Sequence, residues 1–125
     1  MKASDLVIAA KSSVENLSVE AFEQAFGNNA VIIDLREPEE ITTNGSIPGA
    51  LRVPRGMLEF TADPNTPYYN PVFEEQARLL LYCAAGSRSA LSAATLQWMG
   101  YTNVAHLTTG FAGWRDAGKP IEKAH

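Results

Sequence analysis

Two spacings of apolar positions alternate along this 125-residue chain. Three runs are short and continuous: Val31-Ile32-Ile33, Leu79-Leu80-Leu81-Tyr82 and Val104-Ala105-His106-Leu107. The first, β-branched and bounded by turn residues, predicts a buried strand, the second another buried strand and the third a last strand. Leu51-Arg52-Val53 predicts a shorter strand, stopped by Pro54. Between these runs the spacing becomes helical. Positions 4–12 predict a short helix with Ser4 as N-cap and Leu6, Val7 and Ala10 on one face. Ser18 predicts the cap of a second helix, whose stripe of Ala21, Phe22, Ala25 and Phe26 ends at Gly27-Asn28-Asn29. A third helix starts at Ser87 or Ser89 and carries Leu91, Ala94, Thr95, Leu96 and Trp98 towards Gly100. A last one runs from Gly110 to Ala117. Trp98 and Trp114 stand among apolar neighbours at helical spacing and read as core. From Glu59 to Pro71, three prolines with Asn65 and Asn70 predict a semi-rigid surface loop.

Strands alternating with helices predict an α/β fold with a mostly parallel sheet. In such sheets ligands bind beyond the carboxyl ends of the strands, where Asp34 and Cys83 both fall. Composition adds limits. The chain is 46% hydrophobic, which suits one compact domain over 1–125. A net charge of −4, without a dense basic run, argues against a nucleic-acid partner. The single cysteine excludes an intrachain disulfide and a tetracysteine zinc site, and no metal site is expected. The apolar patch near the N-terminus is broken by Lys11 and Glu15, too early for a membrane span or a signal core. A cytoplasmic domain without membrane contact is the expectation.

Cys83 is the candidate nucleophile. It closes the strand 79–82 and opens the loop Ala84-Ala85-Gly86-Ser87-Arg88-Ser89, at the start of a helix. Loop N–H groups and the positive end of a helix dipole stabilise negative charge, and so favour a thiolate. Gly86 frees its backbone to face a ligand. Arg88 either points into the site towards an anionic donor or turns back to brace the loop. Asp34 and Arg36 are expected to hold loops together, and Arg55 to line the pocket mouth or a solvated face. Glu37, Glu39 and Glu40 read as a solvated acidic turn. His106 reads as a satisfied core or edge histidine, in preference to a general base. His125 is expected to be terminal and mobile.

Four segments together resemble the rhodanese domain of sulfurtransferases. They are Asp34-Leu35-Arg36-Glu37-Pro38-Glu39-Glu40, Gly45-Ser46-Ile47-Pro48-Gly49-Ala50, Cys83 to Ser89, and Gly110-Phe111-Ala112-Gly113-Trp114. The resemblance covers about positions 17–121 and extends to a single-domain bacterial type through Pro54 to Phe60 and the proline-rich loop after it. It implies a three-layer α/β/α fold with a mainly parallel five-stranded sheet. It also implies that Cys83 carries a sulfane sulfur as a persulfide, taken from thiosulfate or a persulfide and given to cyanide or a thiol. The N–H groups of Ala84 to Ser89 would hold the sulfur. Partners are then small-molecule sulfur donors and acceptors, or a protein thiol or persulfide, and no cofactor is needed. A non-catalytic rhodanese-like binding or sulfur-relay module is the alternative. Phosphatase and arsenate reductase chemistry are disfavoured, because four residues separate Cys83 from Arg88 where phosphatases place five. The family usually has His where Ser46 stands, and an extra Arg near the acidic Glu39 and Glu40 in thiosulfate-specialised members. Ser46 is expected to carry a structural cost with little effect on sulfur transfer, whereas the missing Arg, with one basic residue in the loop, is expected to make thiosulfate a poor donor.

Overall fold

The computed structural model describes residues 1–123; Ala124 and His125, and with them the reading of His125, lie outside the described residues. Five strands form one sheet: β1 (Glu15–Leu17), β2 (Val31–Asp34), β3 (Leu51–Arg52), β4 (Leu79–Tyr82) and β5 (Val104–Leu107). Their spatial order is β1-β5-β4-β2-β3 and every pairing is parallel. The three continuous apolar runs occupy the three inner positions. Strands β4 and β5 are buried along their whole length and β2 from Ile33 on, because helices cover the sheet from both sides.

Among the described residues there are six α-helices, α1 (Ala3–Ser13), α2 (Val19–Gln24), α3 (Pro38–Asn44), α4 (Leu58–Thr61), α5 (Ser87–Trp98) and α6 (Gly110–Asp116), and a 3-10 turn at Arg55–Met57. Side chains alternate across β4. Leu80 and Tyr82 join Phe22 of α2 and Phe111 and Trp114 of α6 in one core. Leu79, Leu81 and Cys83 face the other way, into a core with Leu58 and with Ala93 and Leu96 of α5. The period of two thus delivers the thiol to the α5 side.

Several sequence expectations need correction. Ser4 is not the cap of α1; the helix begins at Ala3, and the Lys2 N–H donates to Asp5 Oδ2 at 2.9 Å. The Ser18 cap is present, with its Oγ accepting the Ala21 N–H at 3.2 Å. Trp98 is 91% exposed, whereas Trp114 is fully buried. Leu96 faces the sheet, and two residues further on a helix has turned about 200°, so Trp98 faces outward. The acidic turn is helix α3, with Pro38 in its first turn and a capping box in which the Glu37 N–H donates to Glu40 Oε1 at 3.0 Å. The proline-rich loop begins after α4, and Asp63 and Asn70 order it by accepting the N–H groups of Asn65 and Val72. Among the described residues no helix is long and apolar enough to cross a membrane.

Candidate active site

Cys83 follows β4, third of five strands, and its side chain is 1% exposed. The chain then turns directly into α5. Gly86 is the N-cap of that helix, at φ +104°, a backbone conformation that favours glycine. A Cβ there would lie 2.1 Å from the carbonyl oxygen of Thr108. This turn aims two N–H groups at the sulfur. Gly86 donates to Sγ at 3.2 Å and Ser89 at 3.3 Å, and the twelve-residue helix α5 points its positive end the same way. Ala85 and Ser87 are exposed and Ala84 is half-buried, so the cradle opens outward over these small residues.

The opposite side of the loop is tied down by α6. The Phe111 N–H donates to the Cys83 carbonyl at 2.8 Å, and the Ala112 N–H to the Ala84 carbonyl at 3.1 Å. Gly110 lies so close beneath that a Cβ would sit 2.5 Å from the Ala84 carbonyl oxygen. With those carbonyls turned towards α6, the N–H groups further along the loop face the sulfur. The Gly110 to Trp114 segment therefore supports the loop from below.

Arg88 is held by Glu40, while its charge still reaches Cys83. Its guanidinium makes a two-pronged ion pair with Glu40, at 2.7 and 2.9 Å, so Glu40 is not simply solvated. The pair links α5 to α3, and each partner is about a third exposed. Asp34 and Arg36 form a buried ion pair at 2.8 Å beyond the end of β2. Arg36 also donates to the Gly45 carbonyl at 2.8 Å, and its guanidinium lies 4.2 Å over the Phe111 ring. The Tyr82 hydroxyl donates to Asp34 Oδ2 at 2.6 Å and accepts the Ile47 N–H at 3.1 Å. Burial, reinforced by Asp34, raises the Tyr82 pKa, so it remains a neutral donor. Arg55 pairs with Glu59 at 2.8 Å and reaches Thr95 at 3.4 Å, lining a groove between α1 and α5. Ser46 pairs its backbone with that of Glu122 and is buried.

Sequence reasoning missed the surroundings of His106. The ring is fully buried; Nδ1 lies 2.9 Å from Ser89 Oγ and Nε2 lies 2.8 Å from Asn16 Oδ1. Asn16 belongs to β1, an edge strand the apolar pattern did not reveal. Val14-Glu15-Asn16-Leu17 does not alternate apolar with polar, so the sequence carries no strand signal there.

Two acid-labile contributions follow. Burial, with Lys11 adding to it, pushes the His106 pKa from 6.5 down to about 4. The unfolded imidazole then takes a proton first, and stability is lost as pH falls from about 6.5 towards about 4. The Arg88 guanidinium holds Glu40 down from 4.5 to about 2, against burial; the unfolded carboxylate again protonates first, and this loss runs from about 4.5 towards about 2. Thermal midpoints measured across this range should fall in two stages. His106→Gln should flatten the upper stage alone and Glu40→Gln the lower stage alone.

The model of the Rhodanese-like domain matches residues 18–117. The chain belongs to the rhodanese-like domain family. This rhodanese-like chain superposes on a Rhodopseudomonas palustris protein with a TM-score of 0.92 at 44% identity, covering 98% of this chain and 95% of that one. That protein is described as one of unknown function and a possible tyrosine phosphatase. A sulfurtransferase of Allochromatium vinosum is 28% identical, over 86% of this chain and 94% of its own. A thiosulfate sulfurtransferase of Actinobacillus succinogenes is 28% identical, over 84% of this chain and 86% of its own.

Proposed function

We propose that this chain, acting as one domain, is a sulfurtransferase in which Cys83 carries a sulfane sulfur as a persulfide. The observation that carries the reading is the Sγ atom itself, which accepts two N–H groups at the start of α5. Such a cradle stabilises a thiolate before reaction and a persulfide afterwards. The Cys83 thiolate attacks the outer sulfur of a donor. A new S–S bond forms at Sγ, the donor's own bond to that sulfur breaks, and its electron pair leaves with the donor remnant, sulfite where thiosulfate is used. A thiol or cyanide acceptor then attacks the terminal sulfur, and Cys83 departs as the thiolate it began as. The sulfurtransferases of Allochromatium and Actinobacillus support the same chemistry here. A lone thiol that must stay reduced suits a cytoplasmic setting.

The R. palustris description raises phosphatase chemistry as a second reading. Arg88 argues against it. A phosphate needs a guanidinium turned into the loop, and this one is held by Glu40. The same pairing argues for a donor of low charge, such as a persulfide, over dianionic thiosulfate.

Intact mass measured after incubation with a small-molecule persulfide should show a gain of one sulfur atom that Cys83→Ser abolishes. Adding cyanide should return the original mass. Gain without return would assign the chain to the sulfur-relay module instead. No gain from either a persulfide or thiosulfate would overturn the reading.

A further inference from the structure

Behind Cys83 lies a line of polar groups that the sulfur chemistry above does not use. Cys83 Sγ lies 3.5 Å from Ser89 Oγ, which lies 2.9 Å from His106 Nδ1; His106 Nε2 lies 2.8 Å from Asn16 Oδ1. Cys83, Ser89 and His106 are each at most 1% exposed. The far end decides the direction of every bond. Asn16 Nδ2 donates to the carbonyls of Lys11 and Val14, at 2.9 and 3.1 Å, which leaves its Oδ1 for His106. His106 Nε2 must then be the donor, so the neutral ring offers its Nδ1 lone pair to Ser89. Ser89 donates there and turns an oxygen lone pair to the thiol. The resting order is S–H to Oγ, O–H to Nδ1, and Nε2–H to Oδ1.

One other arrangement satisfies the same atoms. If the thiol proton moves to Ser89 Oγ while the Ser89 proton moves to His106 Nδ1, the products are a thiolate and an imidazolium. Nδ1–H now donates to Oγ, O–H donates to the thiolate, and Nε2–H keeps Asn16. A thiolate beside a neutral ring is poorer, because the one Ser89 hydrogen then faces three acceptors: the thiolate, His106 Nδ1 and the Gly86 carbonyl, 3.3 Å from Oγ. We propose that Ser89, His106 and Asn16 form a proton relay for Cys83, with His106 positioned to receive the thiol proton through the Ser89 hydroxyl. This rests on Cys83 being the sulfur carrier. It makes His106 a positioning residue, since of the three relay residues Ser89 alone touches the sulfur.

The charges around the ring set the balance. Burial opposes the imidazolium, and Lys11 on α1 opposes it further. The thiolate beyond β4 favours it, while α5 contributes only the neutral Ser89. On β1, Asn16 is exposed and its neighbour Glu15 is paired with Arg78. A carboxylate placed at Asn16 would therefore stay solvated and would stabilise the imidazolium.

The test uses the full chain, iodoacetamide and no sulfur donor. A lone thiol loses about tenfold in alkylation rate for each pH unit below its midpoint. A thiol that shares its proton with a second group keeps a fixed fraction of the ion pair between the two midpoints. The wild-type rate should therefore level into a plateau that ends where His106 acquires its own proton. His106→Gln and Ser89→Ala should remove the plateau and lower the rate at least about threefold two pH units below the thiol midpoint. Asn16→Asp should raise it by a similar factor. Thermal midpoints would establish that each variant is folded, and a purely structural role would lower those midpoints without changing the shape of the profile. Wild-type and His106→Gln profiles of the same shape would overturn the relay, as would a thiol inert at every pH. A plateau without sulfur uptake overturns the sulfurtransferase reading alone. Sulfur uptake without a plateau overturns the relay alone.

Discussion

Replacing Arg36 with methionine is expected to lower the free energy of unfolding by about 3–5 kcal/mol, the usual cost of breaking a buried ion pair from one side. Methionine fills much of the same space, so the loss is mainly electrostatic. It leaves the buried Asp34 carboxyl without its cation, with the Tyr82 hydroxyl and the backbone N–H of the substituted residue as its remaining donors. The Gly45 carbonyl also loses its partner, and with it the tie between the end of β2 and the segment that follows α3. For a chain of this length the thermal midpoint should drop by roughly 10–20 °C. Urea unfolding would measure the change. Adding Asp34→Asn should recover more than half of it, because the neutral amide no longer needs a cation while its oxygen still accepts from Tyr82. A single-variant loss below about 1 kcal/mol would show that the pair is dispensable.

The second large effect is expected at Gly86→Ala. Strain at φ +104° accounts for about 1–3 kcal/mol, and the collision with the Thr108 carbonyl adds a similar amount. Gly49→Ala separates the two. Gly49 has φ +85° with nothing within 4 Å of its would-be Cβ, so it carries strain without collision. To relieve the contact, the start of α5 must move away from the end of β5. That motion carries the Gly86 and Ser89 N–H groups off the sulfur. Gly86→Ala should therefore lose sulfur uptake as well as stability, whereas Gly49→Ala should lose only stability. Equal losses in the two variants would show that the Thr108 contact relaxes freely.

How much of this was legible beforehand depended on burial and on sequence distance. The inner strands were readable because Val31 to Ile33, Leu79 to Tyr82 and, apart from His106, Val104 to Leu107 are runs of apolar residues. Strand β1 was not, since an edge strand of three residues needs little apolar character and Glu15-Asn16-Leu17 shows little. The cradle around Cys83 is local, built by residues within six positions of the sulfur, and so its outline was readable. Helix α3 was hidden by its charge, although Pro38 with Glu37 and Glu40 at capping-box spacing was a usable signal. Arg88 stood between two roles that only its distance to Glu40 separates. Trp98 misled because an aromatic at helical spacing can still fall on the far side of the helix. The contact between Asn16 and His106 spans ninety positions, and it exists only because β1 pairs with β5 in one register.

The N–H groups of α6 on the Cys83 and Ala84 carbonyls have a kinetic consequence. A loop free to wander would have to be ordered anew with every donor, at about 1–2 kcal/mol of entropy for each residue fixed. Here β4, α5 and α6 order it during folding, and the same arrangement waits for each donor and each acceptor in turn. Repeated turnover of a small sulfur species, which brings little binding energy of its own, then requires no reorganisation of the protein around the thiol.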